Sequence, residues 1–184
     1  MKKRDVRPGG AGASRGFPPV AREDARVLIL GSLPSEASLR AGEYYAHPRN
    51  AFWKIMRVIA AAAGDYPARC RALQARRIAV WDVLSSSVRP GSLDADIDMN
   101  SAVPNDFEKF LAGHEDIRLV CFNGRTAQQI FQRRVQPSLP ESGLELALLP
   151  STSPAHASLT FEEKLAAWRG IIEPHLGRGQ QASG

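Results

Sequence analysis

The sequence predicts an α/β fold, a three-layer αβα sandwich whose middle layer is a four-stranded parallel sheet. Two observations carry this. Four short apolar runs, each bounded by turn-forming residues, read as strands buried on both faces. Longer segments with helical patterning lie between them, and strands alternating with helices make a parallel sheet covered on both sides.

The first strand is "ARVLILG", residues 25–31, a continuous apolar run closed by glycine. A helix is expected over 49–63, and a short one over 67–75. "RRIAVWDVL" at 76–84 is the second strand, followed by a helix near 104–112 that Pro104 opens. "IRLVCFNG" at 117–124 is the third strand, with a helix over 125–134 behind it, and "LELALLP" at 144–150 is the fourth. A last helix, 160–173, starts at Thr160 with Glu163 three residues on, which is capping-box spacing. No internal repeat or second domain is visible. The expected organisation is one domain over 21–176, between a disordered basic arm at 1–20 and a disordered tail at 177–184.

Composition narrows the function. At 184 residues the chain fits one ordinary domain that needs no covalent staples. The net charge of +5 looks like a nucleic-acid signal until it is located: residues 1–22 hold six basic and one acidic side chain, and the rest is balanced at 18 of each. The domain is formally neutral, so isoelectric point alone does not argue for DNA, and the Gly/Pro-rich arm offers at most weak phosphate attraction. Cys70 and Cys121 stand 51 positions apart with no Cys/His cluster, which suggests neither a disulfide framework nor a metal site. A reducing cytoplasm is the expected location. No apolar run reaches the roughly 20 residues of a membrane span, and no signal peptide is visible.

The chemically rich residues fall at the strand ends: "GSLPSEASL" and "GEYYAHPRNAFWK" after the first, "DVLSSSVRPGSLD" after the second, "NGR" after the third and "PSTSPAHAS" after the fourth. In open parallel sheets ligands bind outside the carboxyl ends of the strands, so these loops should share one rim. The rim has no P-loop, GxGxxG or GxSxG pattern. Paired carboxylates for an acid/base dyad are absent from it apart from Asp82, Asp94 and the nearby Asp96, and amides, hydroxyls and aromatic rings dominate. That set suits recognition of a flat polar heterocycle better than attack by a side-chain nucleophile, because rings stack on bases and amides pair with their edges. The serines and threonine of "PSTSPAHAS" suit phosphate binding.

Together, "LILGSLPSEASLRAGEYYAHPRNAFWKIM", "WDVLSSSVRPGSLDADI", "FNG" and "LPSTSPAHA" resemble the hypoxanthine-DNA glycosylases of the uracil-DNA glycosylase superfamily. The similarity runs from about 17 to 174 with the blocks in family order. The first block, with its "AHPxNxFW" core, is also similar to the mismatch-specific uracil/thymine glycosylases, a sister branch. The resemblance implies a uracil-DNA glycosylase-like fold. It also implies a monofunctional enzyme that flips a deaminated base, chiefly hypoxanthine, out of double-stranded DNA and hydrolyses its N-glycosidic bond in base excision repair. Water is the implied nucleophile, with no metal, no cofactor and no β-lyase step, and the protein is expected to act as a monomer. Two alternatives stay open: a uracil-selective glycosylase, and a non-catalytic binder of damaged or single-stranded nucleic acid.

The resemblance also assigns roles by position. Where the sister branch has an asparagine that orients water, this chain has Leu33, so the catalytic amide is expected to be Asn50. An asparagine there is also a preferred helix cap, and the two roles are compatible. Tyr45 is the expected stacking ring, an interaction worth ~1–3 kcal/mol per base. Asp82 falls where the superfamily reads the base edge, although a strand-end Asp commonly bonds loop amides instead. Gly31, Ser32, Leu33, His47 and Ser151 complete the expected base-binding set, His47 alternatively bonding backbone. Phe52 and Trp53 are expected to pack in the core, and Asn123 to form a turn or stand near the pocket. Ser153, Pro154, Ala155 and His156 are the expected DNA-backbone and intercalation residues. Ser153 matches a phosphate-pinching serine, and Ala155 stands where some relatives insert a leucine, leaving His156 to fill the gap.

Overall fold

A computed structural model describes residues 13–91, 93–140 and 143–177. The chain order is β1 (Ser14–Arg15), β2 (Val27–Gly31), α1 (Glu36–Ala41), α2 (Phe52–Ala60), α3 (Tyr66–Ala75), β3 (Ile78–Asp82) and β4 (Leu84–Ser87). It continues through β5 (Val103–Pro104), α4 (Phe107–Ala112), β6 (Leu119–Asn123), α5 (Arg125–Arg134), β7 (Glu145–Leu149) and α6 (Phe161–Ile172). The four expected strands form one parallel sheet of order β3-β2-β6-β7.

β2, β3 and β6 are buried along their whole length, which is why each reads as an unbroken apolar run. Two aromatic clusters mark the two covered faces. Leu30 is in register with both Trp81 and Phe122, and these two rings pack with Phe107, Phe110 and Phe131 of α4 and α5. A separate cluster joins Phe52 of α2 to Trp168 of α6, ring centroids 6.0 Å apart. The strand order moves one way from β2 to β3 and the other way afterwards, so right-handed crossovers carry the helices to opposite faces.

Three expectations need correction. Residues 14–20, assigned to the arm, are built into the domain: β1 pairs with β4, Val20 pairs with Val80, and the carbonyl of Phe17 accepts from Tyr44 Oη and Trp81 Nε1. Phe17 and Val20 pack on the core and hold this segment down. The rest of the arm, 1–12, and of the tail, 178–184, lies outside the described residues. Pro104 does not open α4. It pairs with Leu84, and Asp106 caps the helix by accepting from Lys109 N at 3.0 Å. Finally, α1 has no counterpart in the expected elements. Ser35 caps it, and Gly42 ends it in the left-handed conformation at φ 67°. No helix among the described residues is long and apolar enough to cross a membrane.

Candidate active site

The carboxyl ends of the four parallel strands open onto a cleft of about 390 Å3. Gly31, Ser32 and Leu33 line it from the end of β2, and Asp82 from the end of β3. Tyr45 and Asn50 come from the segment before α2, and Ser151, Ser153, Ala155 and His156 from the loop after β7. His47 and Pro154 do not line the cleft; His47 Nδ1 instead accepts from Arg49 N at 3.1 Å, the backbone role.

Asp82 is the most unusual group. It is 3% exposed, and its Oδ2 has no hydrogen-bond partner. Burial raises its pKa from 3.8 to about 8; Asp94 pushes the same way and Arg89 opposes them. At neutral pH the side chain is therefore mostly a neutral acid. The strand-end alternative, in which the carboxylate bonds loop amides, is not realised, because Asn105 Nδ2 reaches only the Asp82 carbonyl. Gly31 makes room for the carboxyl: a Cβ there would lie 2.4 Å from Asp82 Oδ1 and 3.1 Å from Tyr45 Oη. Replacing Gly31 with alanine is expected to lower stability by about 2 kcal/mol, within the range for overpacked cores. Thermal unfolding measures this, and Asp82 should be displaced with it.

Tyr45 is held at φ 54°, a left-handed conformation rare outside glycine, which turns its ring back into the cleft. One face stacks on Phe52 at 4.0 Å and 22°, which leaves the opposite face for a ligand. Its hydroxyl is buried beside Asp82 and Asn123 without a hydrogen bond, and burial, reinforced by Asp82, raises its pKa. Tyr44 is core: 3% exposed, with its hydroxyl donating to the Phe17 and Pro18 carbonyls. Phe52 is fully buried as expected, whereas Trp53 is only half-buried, donating to the Tyr44 carbonyl at 2.8 Å with Arg69 over its ring.

Asn50 sits one residue before the cap position of α2, and its Oδ1 accepts from Phe52 N at 3.0 Å. This leaves the carboxamide NH2 as the group offered to a ligand.

Several supports were not assigned from sequence. Asn123 is a clamp: its Nδ2 donates to Thr152 Oγ1 at 2.8 Å and its Oδ1 accepts from Thr152 N at 2.9 Å. The Thr152 carbonyl in turn accepts from Ala51 N at 3.0 Å, tying the loop after β7 to the start of α2. Trp168 Nε1 donates to the Pro150 carbonyl at 2.9 Å and Lys164 Nζ to the His156 carbonyl at 2.6 Å. Gly124, at φ 96°, lets this loop approach, since a Cβ there would lie 3.1 Å from Ser151 Cβ. Arg89, 4% exposed, donates to the carbonyls of Leu33, Pro34 and Gly91, while Ser32 donates to Asp94. Arg89 and Asp94 stand together in "VRPGSLD", but nothing in that string shows that they fold back onto the first loop. No group of three or more His, Cys, Asp or Glu that could hold a metal ion is present among the described residues.

The cleft at the carboxyl edge of this four-stranded parallel sheet is lined by an aromatic ring, a carboxamide and a serine-rich loop, and the chain belongs to the Uracil DNA glycosylase superfamily, matched over residues 18–172. Within it, the chain is 36% identical over 164 residues to a Methanosarcina acetivorans protein named hypoxanthine DNA glycosylase, covering 86% of this chain and 97% of that one. A Methanosarcina barkeri protein of the same name is 34% identical over 157 residues, covering 84% and 94%. A solution NMR structure of a candidate uracil DNA glycosylase from Methanosarcina acetivorans superposes with a TM-score of 0.70 at 33% identity, covering 86% of this chain and 98% of that one.

Proposed function

We propose that this protein excises hypoxanthine from double-stranded DNA by hydrolysing the N-glycosidic bond of deoxyinosine. The observation that carries this reading is the pairing, in one cleft, of a stacking ring with one free face and a buried carboxyl that is neutral at pH 7 and has an unpartnered oxygen. A neutral carboxyl presents a donor and an acceptor side by side, which matches the O6 and N1–H of hypoxanthine. An ionised one would offer acceptors only and repel O6.

In the proposed reaction the flipped base lies against Tyr45 while Asp82 engages its edge. The C1′–N9 bond breaks with its electrons going to the base. The growing negative charge is met by the O–H of Asp82 and the NH2 of Asn50, donors already in place before the reaction starts. Water adds to C1′, and the proton it loses is taken up through solvent by the departing base anion, giving an abasic site and free neutral hypoxanthine. Leu33, 6% exposed and apolar, offers no side-chain partner for that water, which leaves Asn50 to hold it. Ser153 and its loop grip a phosphate. A monomer is the proposed acting form, and the two free thiols, Cys70 and Cys121, suit a cytoplasmic location.

The test is release of free base from duplexes carrying hypoxanthine, uracil or xanthine. The expected result is fastest release of hypoxanthine. Faster release from a G·U duplex would replace this reading with a uracil-selective enzyme, and binding with no release of any base would make the protein a binder only.

A further inference from the structure

Five large apolar side chains are conspicuously exposed among the described residues, and Leu93, at 55%, is the most exposed. It alone of the five lines the cleft. Its loop follows β4, which continues the chain from β3 at one edge of the parallel sheet, whereas Ala155 and His156 follow β7 at the other edge, and both loops line the cleft. The Leu93 loop is braced. The buried guanidinium of Arg89 holds the Gly91 and Leu33 carbonyls at 3.1 and 3.3 Å, and Asp96 N donates to the Leu93 carbonyl at 3.0 Å. A firmly held backbone thus presents an apolar side chain to water at the mouth of a site for a flipped base.

Extruding a base leaves a gap in the stack, and proteins that unstack DNA fill such gaps with Leu, Ile, Met or Phe. The loop after β7 offers Ala155, whose methyl is too short, and His156, whose carbonyl is fixed by Lys164. We infer that Leu93 is the wedge, entering the duplex from the β3 side of the cleft and occupying the space vacated by the extruded nucleotide. This inference rests on the base-flipping reading above.

The experiment compares wild type, Leu93→Ala, Leu93→Met and His156→Ala, as full chains, on an inosine duplex carrying 2-aminopurine beside the inosine and on the same strand unpaired. Wild type and Leu93→Met are expected to brighten 2-aminopurine on binding. Leu93→Ala should lose the brightening and about tenfold of duplex excision, while single-strand excision is spared because there is no stack to fill. Undiminished brightening by Leu93→Ala would overturn the inference. So would equal losses on duplex and single strand, or a duplex-selective loss confined to His156→Ala. Brightening by wild type without excision of either substrate would instead remove the glycosylase reading and leave the wedge in place.

Discussion

Replacing Asn50 with alanine is expected to slow base release by roughly 100- to 1000-fold, the cost of removing one preorganised donor from a site of developing charge. Affinity for the inosine duplex should hardly change, because stacking on Tyr45 and the phosphate contacts remain. The side chain has a second task that must be separated from the first. Its Oδ1 accepts from Phe52 N, so alanine also removes a hydrogen bond at the start of α2 worth about 1 kcal/mol, a loss of about 3 °C in melting temperature for a domain of this size. Asn50→Asp separates them. It keeps the acceptor and that hydrogen bond while replacing the NH2 with an oxygen. Stability should return to near wild type while base release stays low. Recovery of activity in Asn50→Asp would show that the oxygen, not the NH2, is the group the reaction uses.

The second large effect belongs to Asp82 and is read against pH. With a pKa near 8 in the folded protein and 3.8 ordinarily, the carboxyl binds a proton in the native state that the unfolded chain has released. Between about pH 4 and pH 8 the unfolded state therefore binds fewer protons, and stability falls as pH rises across that window. Asp82→Asn, which cannot ionise, should melt close to wild type at pH 5 and several degrees above it at pH 8.5, as measured by thermal denaturation at both. Activity should follow the same titration. Wild type should lose base release about tenfold per unit above pH 8, where the donor is gone. Asp82→Asn should have a flat alkaline limb because its amide still donates. A wild-type profile that stays level to pH 10 would show that the Asp82 proton is not used.

The sheet was legible because β2, β3 and β6 are buried on both faces, so "VLILG", "IAVWD" and "LVCFN" carry no alternation to confuse with a surface strand. The helices that start with caps were legible for a similar local reason, as at Thr160, where both halves of the capping box form. What escaped depends on contacts distant along the chain. β4 and β5 are short, without a buried apolar run, and exist because Leu84 and Ser86 find Pro104 and Val103, with β1 closing the other edge. At the candidate site, the residues that line the cleft were legible by type and by their place at strand ends, which the sheet brings to one rim. Their states were not. The neutral form of Asp82 comes from burial and from Asp94, twelve residues on, and Tyr45 takes a positive backbone angle that its letter does not announce. The clamp by Asn123 requires a partner 29 residues away, and a turn-forming asparagine is the same letter in the sequence.

Thr152 gives the site a mechanical character. It is held on one side by the end of β6 and on the other by the first residues of α2, and the next residue in the chain is Ser153, the proposed phosphate contact. In the proposed reaction a phosphate seated on that loop is therefore connected to the turn that carries Asn50. The connection is a single carbonyl, that of Thr152, accepting from the Ala51 amide. On that reading, grip on the strand and alignment of the amide are two ends of a single short lever, and a loosely seated phosphate is expected to leave the carboxamide out of line and the bond uncut.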